Sequence, residues 1–299
     1  MARRRLTRQQ RRSLSWGLLF ISPWIIGFMA FTVYPVVASF FFSFTNFNVI
    51  NFDPDWVGFR NYVQLFTRDR LFLKALTNTL RYAGMLIVGA TLLDIFAAFL
   101  LNFKVKGLSL YRTALFLPVM TPAVASSLTW VWILNPKRGL INGLLARVGV
   151  EGPYWLASPE TALLSIGLVS IWGSGRAILI YLVGLKDVPQ HLYEAAKIDG
   201  AGAWAKMWNV TLPLLTPQML FNLVTLMIGA LQSFVGPFIM TRGSPNNATL
   251  LYGLHLYNRA FTDMRMGLAS AMAWIMFVII FLLTVALFRL SKNRVVYER

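Results

Sequence analysis

Residues 267–290 read GLASAMAWIMFVIIFLLTVALFRL, and the first charge among them is Arg289. An apolar run of about eighteen residues or more, with few charges, reads as a helix crossing a bilayer, because only there does so much apolar surface avoid water. Five further stretches meet the same length and polarity criteria, at roughly 15–44, 78–103, 113–134, 161–185 and 213–240. Together they predict an all-α membrane protein with six transmembrane helices. Composition agrees, since 57% of the side chains are hydrophobic and 13% charged, against about 25% charged in soluble chains.

A net charge of +17 raises the question of nucleic acid. The Lys and Arg residues, however, sit in short connections between apolar spans, where they set membrane orientation. No nucleic-acid partner is expected. The absence of Cys excludes a disulfide framework and Cys-based metal or redox chemistry. The N-terminal MARRRLTRQQRRS is followed by an apolar stretch much longer than a signal-peptide core of about 7–15 residues, so it reads as an uncleaved first helix. Pro23 and Pro35 within it predict a kink or an interfacial end.

Placing the N-terminus inside puts 16 of the 28 Lys and Arg residues in inward segments and 10 in outward ones, with Arg81 and Arg176 within spans. This bias predicts cytoplasmic termini. The expected organisation is a basic tail over 1–14, a six-helix domain over 15–291 and a short C-terminal tail over 292–299.

The connection at 186–212 is the most informative. It is part of KDVPQHLYEAAKIDGAGAWAKMWNVTLP, starting at Lys186. Pro189 can open a helix, HLYEAAKI supplies helix formers, and Gly200 with Gly202 can end or bend it. A second short helix over AWAKMWNV would lead to Leu212 and Pro213, where the fifth span begins. Ala195 and Ala196 present a face without bulk, which lets another protein approach the backbone. Tyr193, Trp204, Met207 and Trp208 are anchors of the kind enriched in interfaces.

Glu-Ala-Ala, then Gly six residues after the Glu, then Leu-Pro, resembles the EAA loop of importer permeases in the ATP-binding-cassette class. The pattern falls on Glu194, Ala195, Ala196, Gly200, Leu212 and Pro213, with Asp199 as in the carbohydrate-uptake branch. Val210 stands where that pattern usually has Ile. Further segments are similar too, including YRTALFLPVMTPAVASSLTWVWILNP, GLIN, MTRGSPNNAT and GLASAMAW, so the likeness extends from about residue 15 onward. The MTRGSPNNAT stretch has Gly243, Ser244 and Pro245 where these permeases usually have Gly-Gly-Pro. The resemblance implies the type I importer fold, a second and different permease subunit, a dimer of ATPase subunits that carry the ATP and Mg, and an extracytoplasmic substrate-binding protein. It also implies that the loop docks into a groove on the ATPase, with Glu194 facing a basic residue and Gly200 permitting the turn. This chain itself is expected to hold no cofactor and no metal.

Ionisable groups inside spans are costly and point to function by default. Asp94 lies in the second span and Arg176 in the fourth, and an interhelical ion pair or local backbone contacts remain an alternative for both. Aligned back from the loop, Trp172, Gly173 and Arg176 fall near positions where the maltose-type relative contacts sugar, and Gln232 falls near another. Trp172 can stack on a sugar ring or pack between helices, Gly173 leaves room, and Gln232 both donates and accepts. Trp172 and Arg176, four apart, are expected to share one helix face. A guanidinium at 176 suits an acidic or phosphorylated sugar.

Two other classes fit less well. A membrane-embedded enzyme would need clustered catalytic groups, yet His191 and His255 fall in loops on opposite sides, and no HExxH or Ser-His arrangement is present. A channel or secondary transporter is usually marked by internal repeats and a selectivity motif, which the sequence lacks. No Walker A sequence occurs, so ATP hydrolysis falls to a partner.

Overall fold

The computed structural model describes residues 7–50, 52, 54–103 and 106–292. The outer parts of both basic tails, 1–6 and 293–299, lie outside the described residues, so the expectation placed on them is neither met nor altered. Among the described residues the chain is helical, apart from loops and one isolated bridge between Thr45 and Trp56.

The helices are α1 (Arg8–Phe28), α2 (Tyr34–Phe42), α3 (Arg60–Thr67), α4 (Arg70–Asn102), α5 (Leu108–Met120), α6 (Ala123–Ile133), α7 (Leu140–Arg147) and α8 (Pro159–Trp172). They continue as α9 (Arg176–Asp187), α10 (Gln190–Ile198), α11 (Ala203–Lys206), α12 (Leu212–Leu214), α13 (Thr216–Leu231), α14 (Val235–Met240), α15 (Tyr252–Tyr257) and α16 (Met266–Ser291). Four stretches are long and apolar enough to cross a membrane: Arg12–Phe42, Arg70–Asn102, Thr216–Met240 and Met266–Ser291. Two bent pairs, α5 with α6 and α8 with α9, raise the number to six if each is one span.

The prolines act differently at each site. In the first span Pro35 has no N–H to give back, and the helix absorbs this as a π-helical turn over Met29–Val33. In the third span the expectation of one helix over 113–134 is corrected. Thr121 precedes Pro122 and is held extended, at φ −76° and ψ 129°, so α5 and α6 meet at 100°. At about 1.5 Å per residue neither half is long enough to cross alone.

The chain divides into two compact bodies, one of residues up to 65 with 259–275, the other of 66–258 with 276 onward. In the first, the side chain of Asn61 donates to the carbonyls of Ser43 and Thr45 at 2.9 and 2.8 Å. The Gly267 N–H donates to the Phe47 carbonyl at 2.9 Å. A Cβ at Gly267 would lie 2.1 Å from the Thr45 carbonyl oxygen, so only glycine permits this approach.

In the second body α4 is the central element, packed by α8, α9, α13 and α15. Ala83, Ala90 and Ala97 are buried at seven-residue spacing along it, and small residues let backbones come close where water gives no driving force. Its C-terminal part joins Ile178, Tyr181, Leu182 and Leu185 of α9 and Leu215 in one buried cluster. Its polar start, LKALTNTLRY, has a structural purpose. Asp69 caps the helix by accepting from the Leu71 N–H and pairs through its other oxygen with buried His255 at 3.0 Å. Asn78 donates to the carbonyls of Asn247 and Leu250, and Thr79 accepts from the Tyr252 N–H at 2.7 Å. These bonds hold the turn that contains Gly243, Ser244 and Pro245 against α4.

Candidate functional site

Two features carry chemistry: the loop between α9 and α13, and a cavity among α4, α8, α9 and α13. In the loop, Pro189 (φ −63°, ψ 133°) precedes α10 as expected. The helix ends by a two-bond reverse turn in which the Ala201 N–H donates to the Ala196 carbonyl at 2.8 Å and the Gly200 N–H to the Lys197 carbonyl at 3.1 Å. Closing those bonds requires a left-handed residue, and Gly200 sits at φ +78°. This is the physical reason for a fixed spacing between the Ala pair and the Gly: the second Ala and the residue after the Gly close the same turn.

On the return path α11 passes into a π-helical turn, Met207–Thr211. Tyr193 bonds its hydroxyl to that of buried Thr211 at 2.9 Å, tying α10 to the strand of chain that returns to the membrane. With Tyr193 turned inward, Glu194, Ala195, Asp199 and Gly200 are exposed and Ala196 is half-buried. No ion pair among the described residues engages Glu194. Ile198 is 87% exposed and Trp204 71%, with Trp208 at 5.9 Å from Trp204. Leu212 and Pro213 lie in the short helix α12, half-buried, just before α13 begins.

The fourth span is broken. α8 ends at Trp172 and α9 starts at Arg176, with a 46° bend at Gly173-Ser174-Gly175. Trp172 and Arg176 therefore do not share one helix face, which corrects the expectation; the two glycines in three residues offer no side chain to hold the helix straight. The break opens onto a cavity of about 460 Å³ in the second body. Gly173 and Arg176 line it, as do Asp94, Tyr181, Phe221 and Asn222. Trp172 instead meets Trp130 edge-on at 5.3 Å, and Gln232 is an exposed residue capping the end of α13; neither is among the lining residues.

Asp94 and Arg176 share the cavity, yet no ion pair joins them. Ser174 reaches Asp94 at 3.4 Å while donating to the Ile171 carbonyl at 2.7 Å. Tyr181, Phe221 and Asn222 escaped the sequence reading. An Asn within TPQMLFNLVTLMIGAL was the available signal, since an amide in so apolar a span requires a partner.

A helical membrane chain with a polar cavity at a broken span, and a rigid exposed turn between two spans, has the form of a transporter subunit. The chain belongs to the family described as binding-protein-dependent transport system inner membrane component, which matches residues 70–297. It is a permease component of an ATP-binding-cassette transporter and not an enzyme. A probable ABC transporter permease protein of Bacillus subtilis strain 168, YesP, is 41% identical over 98% of this chain and 95% of that protein. A multiple sugar-binding transport system permease of Streptococcus mutans, MsmF, is 34% identical over 93% of this chain and 96% of that one. A chain in the crystal structure of a bacterial alginate ABC transporter, in complex with an alginate pentasaccharide-bound periplasmic protein, superposes with a TM-score of 0.80. That match covers 95% of each chain at 23% identity, a likeness of fold.

Proposed function

We propose that this chain is one of two non-identical permease subunits of an importer that moves a sugar or oligosaccharide inward across the cytoplasmic membrane of a bacterium or archaeon. Its termini and the 186–212 loop face the cytoplasm, where the loop docks on an ATPase dimer that holds ATP and Mg. An extracytoplasmic binding protein delivers the cargo. The observation that carries the coupling is α10 itself: tied inward by Tyr193, sharply ended at Gly200, and exposing Glu194, Ala195 and Ile198. The family supports the importer class, and the sugar reading draws on the cargo named for the Streptococcus mutans relative. ATP-driven closure of the ATPases would move the loops together and rock α9 and α13, which flank the cavity.

A second, finer reading is favoured by Arg176, which lines the cavity with no acidic side chain paired to it. A guanidinium there suits an acidic or phosphorylated sugar. The test is ATP-dependent uptake of labelled maltotriose, diacetylchitobiose and digalacturonate into proteoliposomes holding the whole importer and its binding protein. The wild type is expected to accumulate at least one of the three. Uptake of a labelled amino acid and of none of the sugars would overturn the sugar reading. Arg176→Ala is expected to lower digalacturonate uptake about tenfold, the order of one charge-assisted contact, and neutral uptake by less than half. Equal losses would sink the acidic reading alone.

A further inference from the structure

Of the charges that fall within spans, Asp94 and Arg176 line the cavity and Arg81 does not. Arg81 is exposed, and no hydrogen bond or ion pair joins it to another described residue. A cation in or beside the hydrocarbon is costly unless something pairs with it, so its partner lies outside the chain. Its level in the membrane follows from α4. From Tyr82 to Leu101 this helix carries a single charge, Asp94, and those twenty residues rise about 30 Å, the thickness of a hydrocarbon core. Leu101 packs with Leu185 and Leu215 beside the 186–212 loop, so Arg81 stands at the opposite surface, level with the headgroups.

There, within the second body, a groove of about 460 Å³ opens between α4 and α8. Arg81, Lys74 and Glu160 line it together with Met85, Leu163 and Leu164. Lys74 spends one hydrogen on the Asn246 carbonyl and has two left. Glu160 accepts from the Ser158 hydroxyl and forms no ion pair. Apolar surface continues inward from the groove. Val88 and Leu92 follow Arg81 and Met85 on the same face of α4 and are 60% and 65% exposed, and Leu164 and Leu168, one turn apart on α8, are exposed as well. Asp94, nine residues past Met85, lies half a turn round the helix, so this groove and Asp94 are on opposite sides of α4.

These groups select an occupant with two opposite charges and a tail. A phosphate suits the guanidinium, which meets it with paired N–H groups, and the Lys74 ammonium beside it. A primary ammonium next to that phosphate suits Glu160. A purely anionic headgroup would leave Glu160 against a like charge, and a choline would bring it no N–H. A carboxylate on another protein would use the cations and leave the apolar stripe bare. We propose that the groove between α4 and α8 binds one phosphatidylethanolamine-type lipid of the leaflet remote from the 186–212 loop. Its phosphate rests on Arg81 and Lys74, its ammonium at Glu160, and an acyl chain runs along Val88 and Leu92. The site depends on no choice of cargo.

The test uses the complete importer in mild detergent with equal amounts of dioleoyl phosphatidylethanolamine, phosphatidylglycerol and phosphatidylcholine, and native mass spectrometry counts the lipids retained. Arg81→Ala is expected to hold one lipid fewer per complex than wild type. The lipid it loses is expected to be phosphatidylethanolamine about fivefold more often than either other, the order of one exposed charge pair. Glu160→Gln is expected to keep the lipid count and erase that preference over phosphatidylglycerol. Equal counts in wild type and Arg81→Ala would overturn the site, as would loss of phosphatidylglycerol in place of phosphatidylethanolamine. Should Arg81→Ala fail to assemble, Glu160→Gln decides alone, because its side chain is exposed: an unchanged ratio of the two lipids would overturn the site. Loss of the binding protein from Arg81→Ala with lipid unchanged would assign the groove to that protein and also overturn it.

Discussion

A Glu194→Lys chain is expected to reach the membrane at the wild-type level while transport and coupled ATP hydrolysis fall at least tenfold. Glu194 is exposed on α10 and engages no ion pair among the described residues, so its replacement removes nothing from the fold. Its cost appears only where the ATPase docks. On the proposed docking Glu194 meets a basic residue of the ATPase, so reversing its charge would turn attraction into repulsion, and losing one partner of a desolvated charge pair costs about 2–5 kcal/mol. Each 1.4 kcal/mol or so is tenfold. The checks are membrane content by immunoblot and the two rates in reconstituted complexes. Full transport by the variant would remove Glu194 from the contact.

The double variant Ile198→Ala, Trp204→Ala is expected to separate this chain from its ATPase. These are large apolar side chains exposed beside the turn at Gly200, and on the proposed docking the ATPase covers them. Full burial of each contributes about 1.5–3 kcal/mol. Losing both is expected to weaken ATPase association about a hundredfold or more, measured as the ATPase retained when the membrane subunits are purified in detergent. Retention equal to wild type would mean that the two side chains lie outside the interface.

The loop was legible in the sequence because its rules are local. Pro189 before a helix, an Ala pair, and Gly200 at the one left-handed position each follow from backbone sterics, and the structure has them where the residues place them. The spans were legible from apolar length. Their breaks were harder. Pro122 lies within the third span, but whether neighbours straighten such a helix or let it turn by 100° depends on packing that no local pattern records. The same holds at Gly173-Ser174-Gly175, where helical spacing placed Trp172 and Arg176 together and the bend parts them. The cavity was the least legible part. Asp94 and Arg176 stood out as charges among apolar residues, whereas Tyr181 and Asn222 matter only because α4, α9 and α13 converge, at sequence separations of many tens of residues. The polar start of α4 is spent on structure: Asn78 holds the 241–250 turn and Thr79 accepts from the Tyr252 N–H just after it.

The most direct test of coupling through the loop uses the absence of Cys from the chain, which makes one introduced thiol unique. Ala195→Cys, exposed on α10, and Leu144→Cys, exposed on α7 in a different connection, are each assembled with an ATPase carrying a single cysteine at its membrane-facing groove. A short bismaleimide is then added to the intact importer. Ala195→Cys is expected to form a permease–ATPase adduct, and Leu144→Cys none. An adduct from Leu144→Cys and none from Ala195→Cys would place the ATPase against the other face and take the docking role away from the loop.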